Sequence, residues 1–368
     1  MAHETERLCY FILIGLLGAM WQTFAQEQIP APHIDFTTQY RSCFGSKLIC
    51  WKVSVYGINA TDHGRSMVLP ECHHNCWYHV TNSSIPVLKR TFFSRNKFNI
   101  IMIDLRSSNI HIIENGTFCD FKDLRYLDLS ENFLNKISRN TIIDAYNLRY
   151  LNLSSNDIFS LEKDTFADLR NLQYLDISKN RIGKIEGNKF GGLTSLIELN
   201  LSSNDIVSLE EGAFAELHNL KCLYISENRI GKIEGNTFDG PTSLIELNLS
   251  SNDIVSLQGG AFDDMHDLLY LDISKNRLGK IEGNTFDVPD SLIELNLSSN
   301  NITNLNSSLF SALIDLRQLD LSRNPHFEIS KHSLSKLSNL QDLDLSCVNL
   351  TFFLDYGVLE PCGYLKIV

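Results

Sequence analysis

The sequence TSLIELNLSSNDIVSL occupies residues 194–209, and the same sixteen letters return at residues 242–257. A related but different stretch lies between the two copies, so the copied unit is a pair of consecutive segments of equal length. Apolar and polar residues alternate within each segment, as in Leu199-Asn200-Leu201, which is typical of a short strand with one buried face. This repeat decides the architecture of the chain.

The second leucine of the Leu-x-Leu-x-x-Asn unit recurs once in every segment, at a constant interval and without insertion. It stands, as Leu or Ile, at Leu105, Leu129, Leu153, Ile177, Leu201, Ile225, Leu249, Ile273, Leu297, Leu321 and Leu345. A looser segment, one residue longer, precedes these eleven and contains Val80 and Ile85. A period this strict predicts a solenoid in which each segment forms one coil and packs on its neighbours.

Two further positions of the repeat predict how the coils hold together. An asparagine follows three residues after the leucine, and an inward amide there can both donate to and accept from the backbone of the turn. These asparagines are Asn132, Asn156, Asn180, Asn204, Asn228, Asn252, Asn276, Asn300 and Asn324, while Ser108 and Val348 replace them near the ends. A phenylalanine ten residues later predicts a stacked spine; it is Phe118, Phe166, Phe190, Phe214, Phe238, Phe262, Phe286 or Phe310, with Ile142 and Leu334 in the same position.

The pattern LxxLxLxxNxIxxIxxxxFxxLxx, as in LIELNLSSNDIVSLEEGAFAELHN at residues 196–219, resembles the typical 24-residue subclass of extracellular leucine-rich repeats. It is similar to the ectodomains of Toll-like receptors and chaoptin and to secreted immune repeat proteins of insects. The resemblance covers residues 77–360, about 12 coils. It implies an α/β-type horseshoe solenoid with a parallel β-sheet on the concave face and turns and short helical pieces on the convex face. Members bind different ligands, so the resemblance does not identify one.

Residues 1–25 have the composition of a signal peptide. Arg7 precedes an apolar run from Leu8 to Trp21, and Thr23-Phe24-Ala25 predicts cleavage after Ala25. The run is shorter than the ~20 residues that a spanning helix needs, so we expect a secreted chain without membrane insertion. Removing one Arg and two Glu with this segment changes the net charge from −12 to −11, which argues against nucleic acid as a partner.

Eight cysteines remain, and an oxidising compartment makes them disulfide candidates. Residues 26–76 lack the repeat and are predicted to form an N-terminal cap that contains Cys43, Cys50, Cys72 and Cys76, whose three possible pairings stay open. The run Cys72-His73-His74-Asn75-Cys76 also suggests zinc, but no second ligand pair follows at the required spacing, so disulfides are favoured and no metal site is predicted.

The other cysteines lie beyond the cap. Cys347 and Cys362 flank the last coil and could form a disulfide that closes it, with residues 361–368 as a short C-terminal end. Cys119 follows Phe118 and could reach the cap or remain a half-buried thiol. Cys222 precedes a strand, where it is either a small buried residue or a free thiol able to link two chains.

The residues show no pattern of an enzyme. No histidine is tied by spacing to the Asp and Ser residues of the strands, and phosphate-binding and dinucleotide-binding glycine patterns are absent from the sequence. We therefore predict no catalytic residue and no cofactor.

The candidate ligand face is the solvent-facing side of the sheet. Three tyrosines occupy one position of consecutive coils and should lie about 5 Å apart, where large aromatic rings with a polar tip suit protein contact. The predicted contact residues are Tyr126, Tyr150, Tyr174, Tyr224, Asp128, Asp176 and Glu198. The alternative is that these are ordinary half-exposed strand residues. Outward carboxylates would favour a basic partner, or they would serve solubility alone.

Ten Asn-x-Ser/Thr sequons complicate this face. They lie at Asn59, Asn82, Asn115, Asn152, Asn200, Asn248, Asn296, Asn301, Asn306 and Asn349. Four of them (Asn152, Asn200, Asn248 and Asn296) are strand residues of the repeat, so sugars there would line the sheet at every second coil. The alternative is that these four belong to the repeat consensus and carry no sugar.

Three functions are compatible with the sequence. The first is a secreted recognition module that binds a protein or a microbial ligand on the concave face or its flanks, with a role in innate immunity implied by the resemblance. The second is a structural or adhesive protein that self-associates through its near-identical coils. The third is a soluble fragment of a transmembrane leucine-rich repeat receptor.

Overall fold

The computed structural model describes residues 51–56, 76–93, 100–283, 285–287, 291–303, 305, 308–327, 334–348 and 366–367, with the backbone alone at 51–56, 76 and 366–367. The chain divides into two compact units, Met1–Ile177 and Ser178–Val368. The predicted signal peptide lies outside the described residues, and so do Cys43, Cys50, Cys72, Cys362, Asn59, Asn306 and Asn349.

Each unit is a stack of coils around a parallel sheet, here called the main sheet. Its strands in the first unit are Trp51–Tyr56, Cys76–Thr81, Ile100–Asp104, Tyr126–Asp128, Tyr150–Asn152 and Tyr174–Asp176. Its strands in the second unit are Glu198–Asn200, Cys222–Tyr224, Glu246–Asn248, Tyr270–Asp272, Glu294–Asn296, Gln318–Asp320, Asp342–Asp344 and Lys366–Ile367. The strands follow one another in chain order, which confirms the predicted parallel-strand solenoid.

Shorter elements stand on the opposite side of each coil. Two-residue strands pair in parallel between successive coils: Val87–Leu88 with Ile112–Ile113, Lys136–Ile137 with Ser160–Leu161, Lys184–Ile185 with Ser208–Leu209, and Lys232–Ile233 with Ser256–Leu257. The helical pieces among the described residues are the 3₁₀ turns Arg90–Phe92 and Arg139–Thr141. Turns and short strands, not α-helices, therefore connect the coils in the described part of the chain.

The main sheet passes both predicted limits of the solenoid. Trp51–Tyr56 lies inside the segment predicted to be a cap without repeats, yet it pairs in parallel with Cys76–Thr81. Lys366–Ile367 lies beyond residue 360, yet it pairs with Asp342–Asp344 at the same interval that separates the other strands. Backbone groups of the outer coils thus find partners in segments that do not carry the leucine pattern.

The predicted asparagine ladder is present. Asn156 is buried; its Oδ1 accepts the Leu134 N–H, and its Nδ2 donates to the carbonyls of Leu129, Leu153 and Ser154, all within 3.2 Å. Asn132, Asn228, Asn252, Asn276, Asn300 and Asn324 repeat this arrangement. Each amide joins its own coil to the preceding one and satisfies backbone groups that are shielded from water.

The residue before each ladder position adopts a left-handed backbone conformation. Its φ lies between 52° and 59° in eleven successive coils, from Ser107 to Cys347, and none of the eleven is glycine. This conformation costs an L-residue about 1 kcal/mol or more. It reverses the chain sharply so that the next side chain, normally Asn, enters the interior.

A second set of asparagines, not recognised in the sequence, reinforces the other end of the strands. Asn147, Asn171, Asn219 and Asn339 each precede the leucine that leads into a strand, and each Nδ2 donates to a backbone carbonyl of the preceding coil at 2.7–2.8 Å. These exposed amides make the same connection between coils that the buried ladder makes on the other side of the strand.

The interior is apolar and layered. In the second unit the rings from Phe190 to Phe310 stack with centroid separations of 5.8–6.3 Å, which confirms the predicted spine. In the first unit Phe118 contacts Phe93 and Phe121, and Ile142 is buried in the same position. Each buried ring contributes its apolar area to coil-on-coil packing.

In the second unit, acidic and basic residues alternate from coil to coil on the exposed turns and form ion pairs. Asp205 pairs with Arg229 at 2.8 Å and Asp253 pairs with Arg277 at 2.7 Å, in each case between the residues that directly follow two successive ladder asparagines. One type of coil supplies the acid and the other supplies the base. The two-coil period seen in the sequence is thus also a period of charge.

Candidate binding surface

The three predicted tyrosines form one continuous stack on the solvent-facing side of the first unit. Tyr126 and Tyr150 lie 4.2 Å apart between ring centroids with an interplanar angle of 6°, and Tyr150 and Tyr174 lie 4.4 Å apart at 3°. The parallel strands are in register at this position, which places the side chains directly above one another. The predicted ladder is therefore present, and its rings are half-buried.

The stack continues into residues that the sequence analysis missed. Met102 is in register with Tyr126, and Trp77 is in register with Met102. Both side chains are half-buried. All five residues stand three positions before the second leucine position of the repeat in their coil. This shared position would have been enough to predict Trp77 and Met102 from the sequence. We call Trp77, Met102, Tyr126, Tyr150 and Tyr174 the aromatic row.

The phenol groups of the row are tied to neighbouring carboxylates. Tyr126 Oη donates to Asp128 at 3.3 Å, and Tyr174 Oη donates to Asp176 at the same distance. Burial raises the pKa of Tyr126 and of Tyr150. The negative charges of a neighbouring phenol and of nearby carboxylates raise each pKa further, while the hydrogen bond with Tyr126 partly opposes the rise at Tyr150. The row is thus neutral, rigid and largely apolar.

Asp128 differs from the prediction that it offers a carboxylate to a ligand. It is 2% exposed, and its Oδ1 accepts the Ser130 N–H at 2.9 Å and the Ser130 hydroxyl at 2.6 Å. Burial raises its pKa, with help from the charge of Asp104, while the bonds from Ser130 oppose the shift. Asp128 supports the turn after its strand and is not available for contact.

The same turn contact recurs along the row that contains Asp128. Asn152, Asn200, Asn248 and Asn296 each accept the N–H of the serine two residues later through Oδ1, and Asp272, Asp320 and Asp344 do the same. A side chain that accepts this bond stabilises the chain reversal after a strand. Asn and Asp in this row are therefore turn residues first, which the sequence analysis had not recognised.

A charge cluster around the buried Asp104 lies next to Asp128 in the same row of the main sheet. Asp104 is 1% exposed; its Oδ2 lies 2.7 Å from His79 Nδ1 and 2.7 Å from an Arg106 guanidinium nitrogen. Burial alone would raise the pKa of Asp104, but the hydrogen bonds from His79 and Arg106 outweigh it and lower the pKa. The charge is thus compensated in place.

The remaining predicted face residues are divided between the units. Asp176 is half-exposed beside Tyr174 in the first unit, whereas Glu198 and Tyr224 are half-exposed residues of the second. Tyr224 is in register with Asn200 and Asn248. The structure brings the three stacked tyrosines together with Asp128 and Asp176, and it assigns Tyr224 to the other unit.

A polar groove with a volume of about 240 Å³ borders the aromatic row. Its lining residues are Asp123, Arg125, Asn147, Arg149 and Asn171, and we call it the arginine groove. Arg125 and Arg149 directly precede the strand residues Tyr126 and Tyr150. Neither arginine was predicted from the sequence to be a site residue.

The cysteines correct one prediction and decide between two alternatives for a second residue. Cys347 is an exposed free thiol with φ at 59°, so the predicted disulfide with Cys362 is not formed: Cys347 occupies the left-handed turn position, whose side chain points to solvent. Cys222 is fully buried and disulfide-bonded, so it has no thiol with which to link two chains. Cys119 keeps a thiol that donates to Asp144 at 3.4 Å.

The described sequons fall into two groups. Asn82, Asn115 and Asn301 are exposed and lie outside the strands. Asn152, Asn200, Asn248 and Asn296 are half-exposed in the main sheet, with Oδ1 bound to the following serine. Nδ2 is the atom that carries an N-linked sugar; in Asn152 it donates to Asp128 at 3.5 Å, and in the other three it makes no hydrogen bond within the described part of the chain.

Two kinds of feature are absent from the described residues. No group of three or more His, Cys, Asp or Glu side chains there is arranged to hold a metal ion. No helix in the described part of the chain has the length and apolar character needed to cross a membrane.

The coils belong to a known family of binding scaffolds. The family model for the leucine-rich repeat matches residues 99–158, 146–206, 198–254, 242–300 and 290–350, which together make up more than half of the chain. The chain therefore belongs to the leucine-rich repeat family, whose fold typically serves as a non-enzymatic scaffold for protein binding. Comparison with functionally curated proteins gave no significant match.

Solved structures place the fold near Toll-like receptor ectodomains. The structure of TLR13 in complex with ssRNA13 is similar with a TM-score of 0.63 and 25% identity over 74% of this chain. The Drosophila Toll–Spatzle complex, described as a molecular hub in development and innate immunity, gives 0.62 and 24% over 80%. This chain spans 43% of the TLR13 chain and 43% of the Toll chain.

A bacterial protein shares the fold as well. An internalin (InlF) from Listeria monocytogenes gives a TM-score of 0.55 and 20% identity, covering 73% of this chain and 80% of its own. At 24% and 20% identity, the likenesses to Toll and to the internalin show the fold alone. Because TLR13 was solved with RNA, the comparisons give no support to the expectation that nucleic acid is excluded.

Proposed function

We propose that this protein is a secreted recognition module that binds a protein ligand on the aromatic row of its first unit. The observation that carries the proposal is the row itself: five half-buried aromatic or sulfur-containing side chains stand in register on the solvent-facing side of a sheet. Aromatic residues and methionine are enriched at protein interfaces.

The rigidity of the row favours binding. Stacked rings at 4.2–4.4 Å lose little further conformational freedom when a partner covers them. Tyrosine also combines a large apolar body with a hydroxyl that finds a polar partner, here Asp128 or Asp176. Such preorganised contact area is the kind that dominates interface energetics.

The matching positions of the second unit differ in character. Glu198, Cys222, Glu246, Tyr270 and Glu294 stand in register there, with a single tyrosine among carboxylates and one buried cysteine. The coils of the two units share one backbone pattern, so side chains distinguish them. This contrast favours the first unit as the binding surface.

Secretion and a role in innate immunity are part of the proposal. The apolar segment that precedes Ala25 and the ten sequons support export, and the likeness to Toll–Spatzle supports an immune or developmental setting. Expression of the full chain in animal cells tests export. We expect the protein in the medium with an N-terminus at Gln26, and retention of residues 1–25 on a cell-bound chain would contradict this.

Binding itself is tested by capture with matched variants. Immobilised wild-type chain, the triple variant Tyr126→Gln/Tyr150→Gln/Tyr174→Gln, and the control Tyr270→Gln are exposed to the same extracellular fluid, and retained proteins are identified by mass spectrometry. Glutamine is suitable because Gln318 naturally occupies this position of a coil. We expect a protein that the wild type and the control retain and that the triple variant loses.

Two results would overturn this proposal. One is a ligand that the triple variant retains as well as the wild type, because the aromatic row would then not be its contact. The other is a wild-type chain that only self-associates with rising concentration in light scattering, which would favour the structural role. Circular dichroism and thermal unfolding of the triple variant establish that it keeps its fold.

A further inference from the structure

We infer that the arginine groove binds a carboxylate of an acidic protein segment that lies along the aromatic row. This inference rests on the proposed function, which places a protein ligand on the aromatic row, and it adds that the ligand is acidic. It reverses the expectation of a basic partner, which depended on carboxylates such as Asp128 that the structure shows to be held by turns.

The two arginines of the groove are chemically available. Within the described part of the chain, neither Arg125 nor Arg149 has a hydrogen bond or ion pair through its guanidinium group, whereas Arg139, Arg229 and Arg277 each hold a carboxylate. Their backbones are joined by the Arg149 N–H to the Arg125 carbonyl at 2.8 Å. Two unpaired cations thus stand on adjacent coils.

The other lining groups leave the groove positively charged. Asn147 and Asn171 direct their Nδ2 atoms to the carbonyls of Lys122 and Tyr146, so these amides are committed to the backbone. Asp123 is the one carboxylate among the lining residues, against two guanidinium groups. An anion in the groove would relieve the repulsion between the arginines and could accept two parallel hydrogen bonds from either of them.

The position of the groove links it to the aromatic row. Each arginine is the residue directly before a stacked tyrosine. The pair of a cation and a ring is therefore repeated on the next coil, at the strand spacing of about 4.8 Å. A ligand chain that covers the row with apolar side chains would bring an acidic side chain to the groove. In the third coil of the stack Gln173 replaces arginine, so the positive charge is confined to two coils.

The stacking of the rings favours a protein segment over RNA or a glycan. Bases and sugars bind aromatic residues mainly by lying against a ring face. Both faces of Tyr150 are covered by Tyr126 and Tyr174, at 4.2 Å and 4.4 Å. The stack therefore presents ring edges and hydroxyls, which suit apolar and polar amino-acid side chains.

The test uses the full chain with its arginine side chains labelled with ¹⁵N. The probes are a blocked peptide, acetyl-Leu-Glu-Leu-Glu-amide, its counterpart with Gln in place of Glu, and oligouridylate. Arg125→Gln and Arg149→Gln assign the two Nε–Hε signals, and glutamine is again a natural occupant of this position, at Gln173. Arg317→Gln is the matched control, because Arg317 holds the same position in the second unit.

We expect the acidic peptide to shift both signals in a saturable way and the neutral peptide to shift neither. In Arg125→Gln/Arg149→Gln the affinity should fall about tenfold or more, since hydrogen bonds between two charged groups are about twice as strong as those between neutral groups. Arg317→Gln should bind like the wild type, and added salt should weaken binding throughout.

Other outcomes overturn the inference in distinguishable ways. Equal shifts by both peptides, or unchanged affinity in the double variant, would show that the groove holds no carboxylate. Tighter, arginine-dependent binding of oligouridylate would assign the groove to nucleic acid. If Tyr126→Gln/Tyr150→Gln/Tyr174→Gln loses its captured protein while the double arginine variant keeps it, the proposed function stands and this inference fails.

Discussion

Asn132 and Leu105 belong to successive coils and are joined by a hydrogen bond of 3.0 Å from Nδ2 to the carbonyl oxygen. The same amide accepts the N–H groups of Ser108 and Ile110 through Oδ1 and donates to the carbonyls of Leu129 and Ser130. One side chain thus satisfies five backbone groups at a turn that is closed to water. Ser108, which stands in place of an asparagine, donates to the Val80 carbonyl at 2.8 Å.

Replacing Asn132 with alanine should therefore be among the more damaging single changes. Several buried backbone groups would lose their partner, and each such group costs about 1–3 kcal/mol. We expect the free energy of unfolding of the coils around residue 132 to fall by about 2–4 kcal/mol. Urea unfolding followed by circular dichroism measures the change.

Asn135 supplies the control for this prediction. It lies three residues further along the same turn, is exposed, and makes no side-chain hydrogen bond in the described part of the chain. Asn135→Ala should change the unfolding free energy by less than about 0.5 kcal/mol. Similar unfolding midpoints for the two variants would refute the role given to the ladder.

The tyrosine stack predicts an alkaline limit of stability. Burial raises the pKa of Tyr126 and Tyr150 above the ordinary value, so the folded chain holds these phenols protonated while the unfolded chain releases them near pH ~10. The contribution of the stack is complete below that pH and is lost as the pH rises above it. Tyrosinate absorbance should show a late, cooperative phase that coincides with unfolding.

The same titration of Tyr126→Gln/Tyr150→Gln checks the assignment. The late phase should shrink by the absorbance of two tyrosines, while the phase near the ordinary pKa stays unchanged. A variant that titrates with the same proportions as the wild type would show that other phenols are responsible.

The cysteines should react with an alkylating reagent in a defined order. The exposed thiol of Cys347 should be labelled rapidly in the native protein. Cys119 should follow slowly, because burial and the carboxylates of Asp144 and Asp120 raise the pKa of its thiol and lower the thiolate fraction. Cys222 should be labelled only after reduction and unfolding.

Peptide mapping by mass spectrometry without reduction reads out this order. A peptide that joins Cys347 to Cys362 through a disulfide would contradict the free thiol. A reducible dimer that disappears in Cys222→Ser would contradict the buried bond at Cys222.

The sheet sequons should carry sugar on part of the molecules. Asn152, Asn200, Asn248 and Asn296 keep Oδ1 on the turn, so a sugar can be added without loss of the turn contact. At Asn152 the sugar would compete with the 3.5 Å hydrogen bond from Nδ2 to Asp128, so we expect its occupancy to be lower than that of the other three. Intact mass with and without glycosidase, followed by peptide mapping, measures occupancy. A preparation from animal cells in which none of the four is modified would refute the prediction.

A sugar on Asn152 would have a further effect, because this residue lies two positions after Tyr150. We expect Asn152→Gln to leave the captured ligand bound at least as strongly as the wild type. Asn248→Gln, in the second unit, should leave binding unchanged. Weaker binding by Asn152→Gln alone would show that the sugar belongs to the contact.

Much of the fold could be predicted from the sequence, because every coil has the same structural requirements at the same positions. Each coil must bury Leu or Ile on one face, close a turn and stack a ring, and Leu129, Asn132 and Phe118 each solve one of these. These assignments are confirmed. The outer strands Trp51–Tyr56 and Lys366–Ile367 were not predicted, because pairing with an existing sheet edge requires backbone groups and not a leucine pattern.

The candidate surface was predictable only in part. The tyrosines could be found because one position of consecutive coils carries them. The commitment of Asp128 to Ser130 could not be found, since the same letters suit an outward carboxylate and a turn residue. Arg125 and Arg149 were passed over because exposed arginines are common, and only the structure shows that they line one groove and lack a partner among the described residues.

The alternation of Asp205 with Arg229 and of Asp253 with Arg277 makes the charge pairing of the second unit depend on whether coils are lost or gained in even or odd numbers. Loss of the coil that contains Arg229 would bring Asp205 beside Asp253, and insertion of a single coil would likewise place equal charges next to each other, where they repel. Loss or gain of two successive coils keeps every acid beside a base. Length variants that differ by an even number of coils therefore keep these ion pairs, whereas variants that differ by an odd number lose one, at a cost of about 1 kcal/mol or less.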